Sequence, residues 1–166
     1  MEIVDIVDAN DTVIGSAPKD EVRQKSLLSR VSFVILVNSK SELYLQQRKS
    51  TKKTYPLYWS GSAAGHVQAG ESYLEAAIRE TEEELGIKTS LREIGKFTSE
   101  ADKEIVTVFI GRSEGPYKLE EAAIEKAESY SLERLRIDAP NMKMTSYLEA
   151  AVPMIEKLLA GIPSTY

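Results

Sequence analysis

Cysteine is absent from this chain of 166 residues, and histidine occurs once, at His66. The first absence excludes a disulfide framework and any thiol chemistry, and it suits a cytoplasmic setting. The second excludes a His-rich zinc site. Lysine and arginine fall short of aspartate and glutamate, leaving a net charge of −5. A nucleic-acid polymer, whose binding relies on dense basic charge, is therefore not an expected partner. No stretch approaches the roughly 20 apolar residues of a membrane span, so no membrane partner is expected either. The opening Met-Glu-Ile-Val-Asp lacks the basic and apolar regions of a signal peptide. Repeats and low-complexity tracts are missing too. What is there is a composition typical of soluble globular proteins, 42% hydrophobic and 28% charged. The length suits one domain over 1–166 with an ample core.

One stretch stands out: Gly65-His-Val-Gln-Ala-Gly-Glu71, then Ser72 to Leu85, then Gly86-Ile87. The middle part has no Pro or Gly, is rich in Ala, Leu and Glu, and is followed by Gly86, a good helix stop. It predicts a helix whose buried stripe is Leu74, Ala77, Ile78 and Leu85. Glu80, Glu83 and Glu84, spaced i, i+3 and i+4, converge on a different face. At roughly 6 Å and an effective dielectric of about 20, each close carboxylate pair repels by on the order of 3 kcal/mol. A divalent cation reverses that sign, and oxygen-only ligands suit Mg²⁺ or Mn²⁺. A solvated acidic face is the plainer account of a Glu-rich helix. It leaves Gly65, Glu71, Arg79 and Gly86 unexplained at their offsets, so the metal reading is preferred.

This spacing resembles the Nudix box, G-x5-E-x7-R-E-U-x-E-E-x-G-U, where U is usually a bulky aliphatic. Only Thr81, at the first U, departs from it. The resemblance implies an α/β fold: an α/β/α sandwich with a mixed β-sheet, beside which residues 65–87 form a loop–helix–loop. It implies that Glu80, Glu83 and Glu84 bind divalent ions and that Arg79 orients the glutamates. The implied reaction is attack of water on a diphosphate linked to another group, X. Cations would neutralise the phosphate oxygens, and a carboxylate or the metal would activate the water. Glu83, Arg79 and Glu104 are the catalytic candidates.

A wider resemblance covers most of residues 4–112. Val7-Asp8, Asp11 to Gly15, Lys19, Gln46-Gln47-Arg48, Lys52 to Pro56, Trp59 and Gly65-His66 are similar to isopentenyl-diphosphate isomerase and its hydrolase relatives. The isomerase moves protons at carbon with a Cys and a Glu, and holds a metal with three His and two Glu. Here Ala64 stands where that Cys precedes Gly-His, and Arg23 and Arg30 occupy the other two His positions. Isomerase activity is therefore rejected, because proton transfer to an alkene needs the missing thiol. Arg48 and Lys52, and Lys19 more distantly, match positions that hold the diphosphate. A planar fork and a point charge are both good phosphate partners, although a solvated basic loop explains the same residues. His66, at the entrance to the box, is taken as a site-lining residue that binds substrate. Glu104, which matches a metal-facing Glu of the isomerase, is expected as an additional metal ligand or general base; Asp102, two residues earlier, points to the same face. Glu120 and Glu121 are weaker candidates for the base. Tyr55, Tyr58 and Trp59 either stack on a base or pack in the core, with core packing favoured.

Along the chain, Glu2–Asp8 and Thr12–Gly15 read as a hairpin within about 2–16. Strands are predicted at Val31–Val37, Leu43–Gln47, Leu91–Ser99 and Glu104–Gly111. Leu119–Glu128 is helical by propensity, whereas the resemblance implies an extended strand over Ile124–Tyr130; the strand is preferred, because pairing overrides weak propensity. A short helix follows over Leu132–Ile137. A last helix spans about 144–160, with Leu148, Ala151, Val152, Ile155 and Leu159 apolar and Pro153 kinking it. The expected function is Mg²⁺- or Mn²⁺-dependent hydrolysis of a small-molecule diphosphate, a nucleoside diphosphate linked to X or a related compound. A non-catalytic module that binds a diphosphate metabolite is the rival reading. The identity of X is not legible, and a homodimer is left open.

Overall fold

The computed structural model describes residues 1–161; positions 162–166, the end of the expected domain, lie outside the described residues. An antiparallel hairpin of β1 (Ile3–Val7) and β2 (Val13–Pro18) leads into a short helix, α1 (Lys19–Gln24). The main sheet is built around β3 (Ser29–Val37), a near-continuous apolar run buried on both faces, as a central strand should be. On one side β3 pairs in parallel along its whole length with β8 (Glu104–Arg112), which pairs in turn with the antiparallel edge strand β7 (Leu91–Ser99). On its other side β3 forks. Its last residues pair with β4 (Leu43–Arg48), and its first half pairs with β6 (Ala63–His66). Ser62 fills the fork, taking a hydrogen bond from Leu36 N and donating one to the Tyr44 carbonyl. The short β5 (Trp59–Ser60) and β9 (Ile124–Tyr130) complete the sheet on β4.

Two helices cover the faces. Val31, Phe33, Ile35 and Val37 share one core with Leu148, Ala151 and Ile155 of α4 (Ser146–Ala160). Val34 and Leu36 share the opposite core with Ala77 and Leu85 of α2 (Tyr73–Leu85). Each fully buried aliphatic side chain contributes roughly 1.5–3 kcal/mol, so this layering is the main source of stability. The result is the expected α/β/α sandwich with a mixed sheet. Between β9 and α4 lie α3 (Leu132–Asp138) and a 3₁₀ turn at Ala139–Asn141. The chain stays helical through Pro153. The carbonyl of Glu149, which Pro153 cannot serve, belongs to an exposed residue.

The box helix begins and ends as its sequence predicts. Ser72 and Glu75 form a capping box, and Gly86 closes the helix in the left-handed region at φ 69°. The buried stripe is different from the expected one. Leu74 and Ile78 are 43% and 38% exposed, and the inward residues are Ala76, Ala77, Thr81, Glu84 and Leu85. Alanines let the helix lie close against the backbones of β3 and β6, so the face toward the sheet is the small and acidic one rather than the bulky one. Thr81, the departure from the box, is buried and donates to the Ala77 carbonyl at 2.7 Å.

The region that propensity painted helical is extended from Ile124 onward, paired with β4. Just before it, Lys118 N and Glu120 N donate to the carbonyls of Leu85 and Glu84, so this segment is tied to the end of α2. None of the helices is long and apolar enough to cross a membrane, among the described residues.

Candidate active site

Beside β6 lies a cleft of about 280 Å³. Its acidic wall comes from three elements: Glu84 of α2, Glu104 at the head of β8, and Asp102 in the turn before it. Its basic wall comes from Lys19 and Arg23 of α1, Arg48 at the end of β4, and Lys52 in the following loop. Ala64, Gly65 and His66 of β6 lie along it, and Tyr147 of α4 reaches in from the opposite layer.

Glu84 is buried, and its Oε2 accepts from Ala64 N at 2.8 Å. Burial, with the nearby Glu80 adding to it, pushes Glu84 up to about 8. Glu80 is pushed up to about 7, again by burial first, with Arg79 opposing. The Glu80 carboxylate occupies space that only a glycine leaves. A Cβ on Gly65 would stand 2.1 Å from Glu80 Oε1.

Arg79 is the hub of the box. It holds Glu71 with Nε at 2.7 Å and Nη2 at 2.9 Å, a two-pronged pairing of fork and carboxylate. Its Nη1 reaches Glu80 Oε1 at 2.7 Å and Glu83 Oε2 at 3.3 Å, and Nη2 also donates to the His66 carbonyl at 3.0 Å. An internal cation thus offsets part of the repulsion between Glu80 and Glu83, while Glu84 receives no contact from it and is still raised by burial and by Glu80. Glu83 is 54% exposed and points outward, while Glu80 and Glu84 face β6. Arg79, Glu80 and Glu83 do not line the cleft; Arg79 and Glu80 contact its wall at His66 and Gly65.

Glu104 is held from two sides. His66 Nε2 stands 3.0 Å from Oε1, and the Tyr147 hydroxyl donates to Oε2. Burial and the Glu104 charge both keep the Tyr147 proton in place. Asp102 accepts from Ser99 Oγ at 2.7 Å, from Tyr55 OH at 3.1 Å and from Ser146 Oγ at 3.2 Å. Tyr55 therefore belongs to the cleft, whereas Trp59 is buried and packs edge-on against Tyr130 in the core. Arg48 donates to the carbonyl and hydroxyl of Thr54, at 3.0 and 3.3 Å, and burial lowers its proton affinity.

The two arginines at the isomerase His positions part company. Arg23 lines the cleft, while Arg30 is bound to Asp11 at 2.7 Å, away from it. Glu120 and Glu121 are exposed and outside the cleft. Tyr147 was not anticipated, because nothing in local spacing links it to Glu104, 43 residues away. Among the described residues, no three Asp, Glu or His side chains are gathered closely enough to hold a metal ion.

Comparison with known proteins agrees with the fold. Residues 27–148 match the NUDIX domain. An uncharacterized Nudix hydrolase of Pseudomonas aeruginosa is 41% identical over 129 residues, 76% of each chain. An isopentenyl-diphosphate Delta-isomerase of Serratia proteamaculans is 34% identical over 137 residues, 78% of this chain and 75% of that one. A crystal structure of a Deinococcus radiodurans protein, 27% identical, superposes with a TM-score of 0.81 over 92% of this chain and 98% of that one.

Proposed function

The chain belongs to the Nudix family, and from that premise we propose that it is a divalent-metal-dependent hydrolase that cuts a diphosphate linkage with water. The observation that carries this reading is the facing of carboxylates and cations across one cleft, Glu84 and Glu104 opposite Arg48 and Lys52. Glu80, Glu83, Glu84 and Glu104 are the residues that would hold Mg²⁺ or Mn²⁺. Their chemistry fits, since every donor is a carboxylate oxygen. The burial of Glu84 supports the fit, because a buried carboxylate with few donors gains most from a cation. When bound, the ion would withdraw charge from the phosphoryl oxygens and make water a better nucleophile.

The chain's own residues do the rest. Arg48 and Lys52 hold the diphosphate, the first as a fork and the second as a point charge. Glu104, steadied by His66 and Tyr147, accepts the proton of the attacking water at its carboxylate. Arg79 keeps Glu80 and Glu83 from splaying apart. Ala64 lines the cleft with a methyl group that neither gives nor takes a proton, which supports hydrolysis over isomerisation. A diphosphate-binding module without turnover is the second reading, favoured by the Arg79 contacts that engage Glu80 and Glu83.

A panel of diphosphate compounds with Mg²⁺ or Mn²⁺ tests the proposal, with products identified. Glu84→Gln is expected to lower turnover at least a hundredfold while the circular dichroism spectrum stays the same. Unchanged turnover defeats the assignment. Tight calorimetric binding with no product from any compound would decide for the binding module.

A further inference from the structure

We propose that X itself carries phosphate, so that the substrate brings three or more phosphoryl groups into the cleft. This deepens the diphosphate-hydrolase reading and rests on it for the position of the scissile bond. The cleft does not end at the diphosphate residues. A second cavity, of about 400 Å³, shares Lys19, Arg23, Arg48, Lys52 and Thr54 with the first, so the two are chambers of one channel. The inner chamber has the carboxylates Glu84, Asp102 and Glu104. The outer one lacks these three and adds Lys53; its own carboxylates are Glu2 and Asp20, so five basic side chains face two acidic ones there.

The charges of the outer chamber are largely uncommitted. Lys19 is paired with Glu2 at 3.3 Å. Arg23, Lys52 and Lys53 form no ion pair within 4.0 Å among the described residues, and Arg48 bonds only to the neutral Thr54. A diphosphate near the carboxylates uses Arg48 and Lys52. Arg23 and Lys53 then remain for whatever follows, Arg23 bordering both chambers and Lys53 the outer one alone. Basic side chains that outnumber the acidic ones around them repel one another, and an anion bound among them relieves that repulsion. The outer chamber also offers no aromatic side chain on which a base could stack, and only Met1 and Pro18 as apolar lining. An isoprenoid tail or a bare nucleobase finds nothing there, whereas a phosphate finds a fork and a point charge.

The test is isothermal titration calorimetry in EDTA, which needs no turnover, with three probes. These are inorganic pyrophosphate, inorganic tripolyphosphate and 5-phosphoribosyl 1-diphosphate. At least one of the larger two is expected to bind tenfold or more tightly than pyrophosphate. Tripolyphosphate alone would assign a linear chain, and the phosphoribosyl compound alone a separate phosphate on X. Lys53→Gln, at a residue that lines the outer chamber alone, should cut the advantage at least threefold and change pyrophosphate binding less than twofold. Lys88→Gln, on the exposed far surface, should leave all three as they were. Equal affinity for all probes, or an advantage that Lys53→Gln leaves intact, overturns the proposal. Absence of hydrolysis would sink the hydrolase reading without touching this result.

Discussion

A methyl group added at Gly65 would stand 2.1 Å from Glu80 Oε1, and side chains essentially never approach so closely. Either Glu80 leaves its place beside β6 or the backbone moves. Gly65→Ala is therefore expected to lower turnover about a hundredfold, the usual effect of displacing a site group by an ångström. Overpacking of this kind costs about 1–3 kcal/mol in addition. Steady-state kinetics and thermal denaturation read the two effects separately. Full activity in the alanine variant would mean that the position of Glu80 is irrelevant to the chemistry. The same position explains what sequence spacing conveys and what it does not. The fixed offset between Gly65 and Glu80 was visible, because loop and helix are adjacent in the chain. That glycine is needed to receive a carboxylate, rather than to make a turn, follows only from how α2 lies on β6.

At the scale of the element, α2 depends on its cap. Ser72 Oγ accepts from Glu75 N at 3.1 Å, and Glu75 returns a hydrogen bond to Ser72 N at 2.7 Å. Ser72→Ala should lower unfolding stability by about 1 kcal/mol. Chemical denaturation should show this as a lower midpoint with an unchanged slope; no shift would mean the cap is dispensable. Element boundaries of this kind were legible because their signals are local: a run free of Pro and Gly from Ser72 to Leu85, and Gly86 after it. The inward face of α2 was not. Hydrophobicity alone nominates Leu74 and Ile78, but the close approach to the sheet selects Ala76 and Ala77. The same holds for β9, where helical propensity loses to pairing with β4, and for Tyr147, which meets Glu104 only once α4 has packed across the sheet.

Across the whole molecule, Asp11 ties four segments together. From the tip of the β1–β2 hairpin it takes hydrogen bonds from Arg30 of β3 at 2.7 Å, Tyr73 of α2 at 3.0 Å and Lys96 of β7 at 2.8 Å. Burial works to raise its proton affinity, but the bonds from Lys96, Arg30 and Tyr73 outweigh it, and its pKa falls below the ordinary 3.8. Because the folded value is the lower one, the stabilisation is complete above 3.8 and drains away as pH drops through the folded value. Asp11→Asn keeps a residue that tolerates the left-handed backbone there, φ 61°, and removes only the charge. The gap in melting temperature between the two proteins should be widest above pH 3.8 and shrink below it. A constant gap would mean the ionic character of the knot is immaterial.

The long parallel ladder between β3 and β8 has a consequence for synthesis. Ser29 pairs with Glu104 at one end of that ladder, and Val37 with Arg112 at the other. At about 5–20 residues per second, a ribosome takes roughly 4–15 seconds to deliver the second strand after the first. During that interval β3, the most apolar strand of the sheet, has only β4 and β6 to pair with. β4 meets it at Leu36 and Val37 alone, and β6 from Val31 to Val34. The nascent chain is therefore most exposed to wrong partners just before residue 104 emerges, since the strand that pairs with β3 along its whole length is made only then.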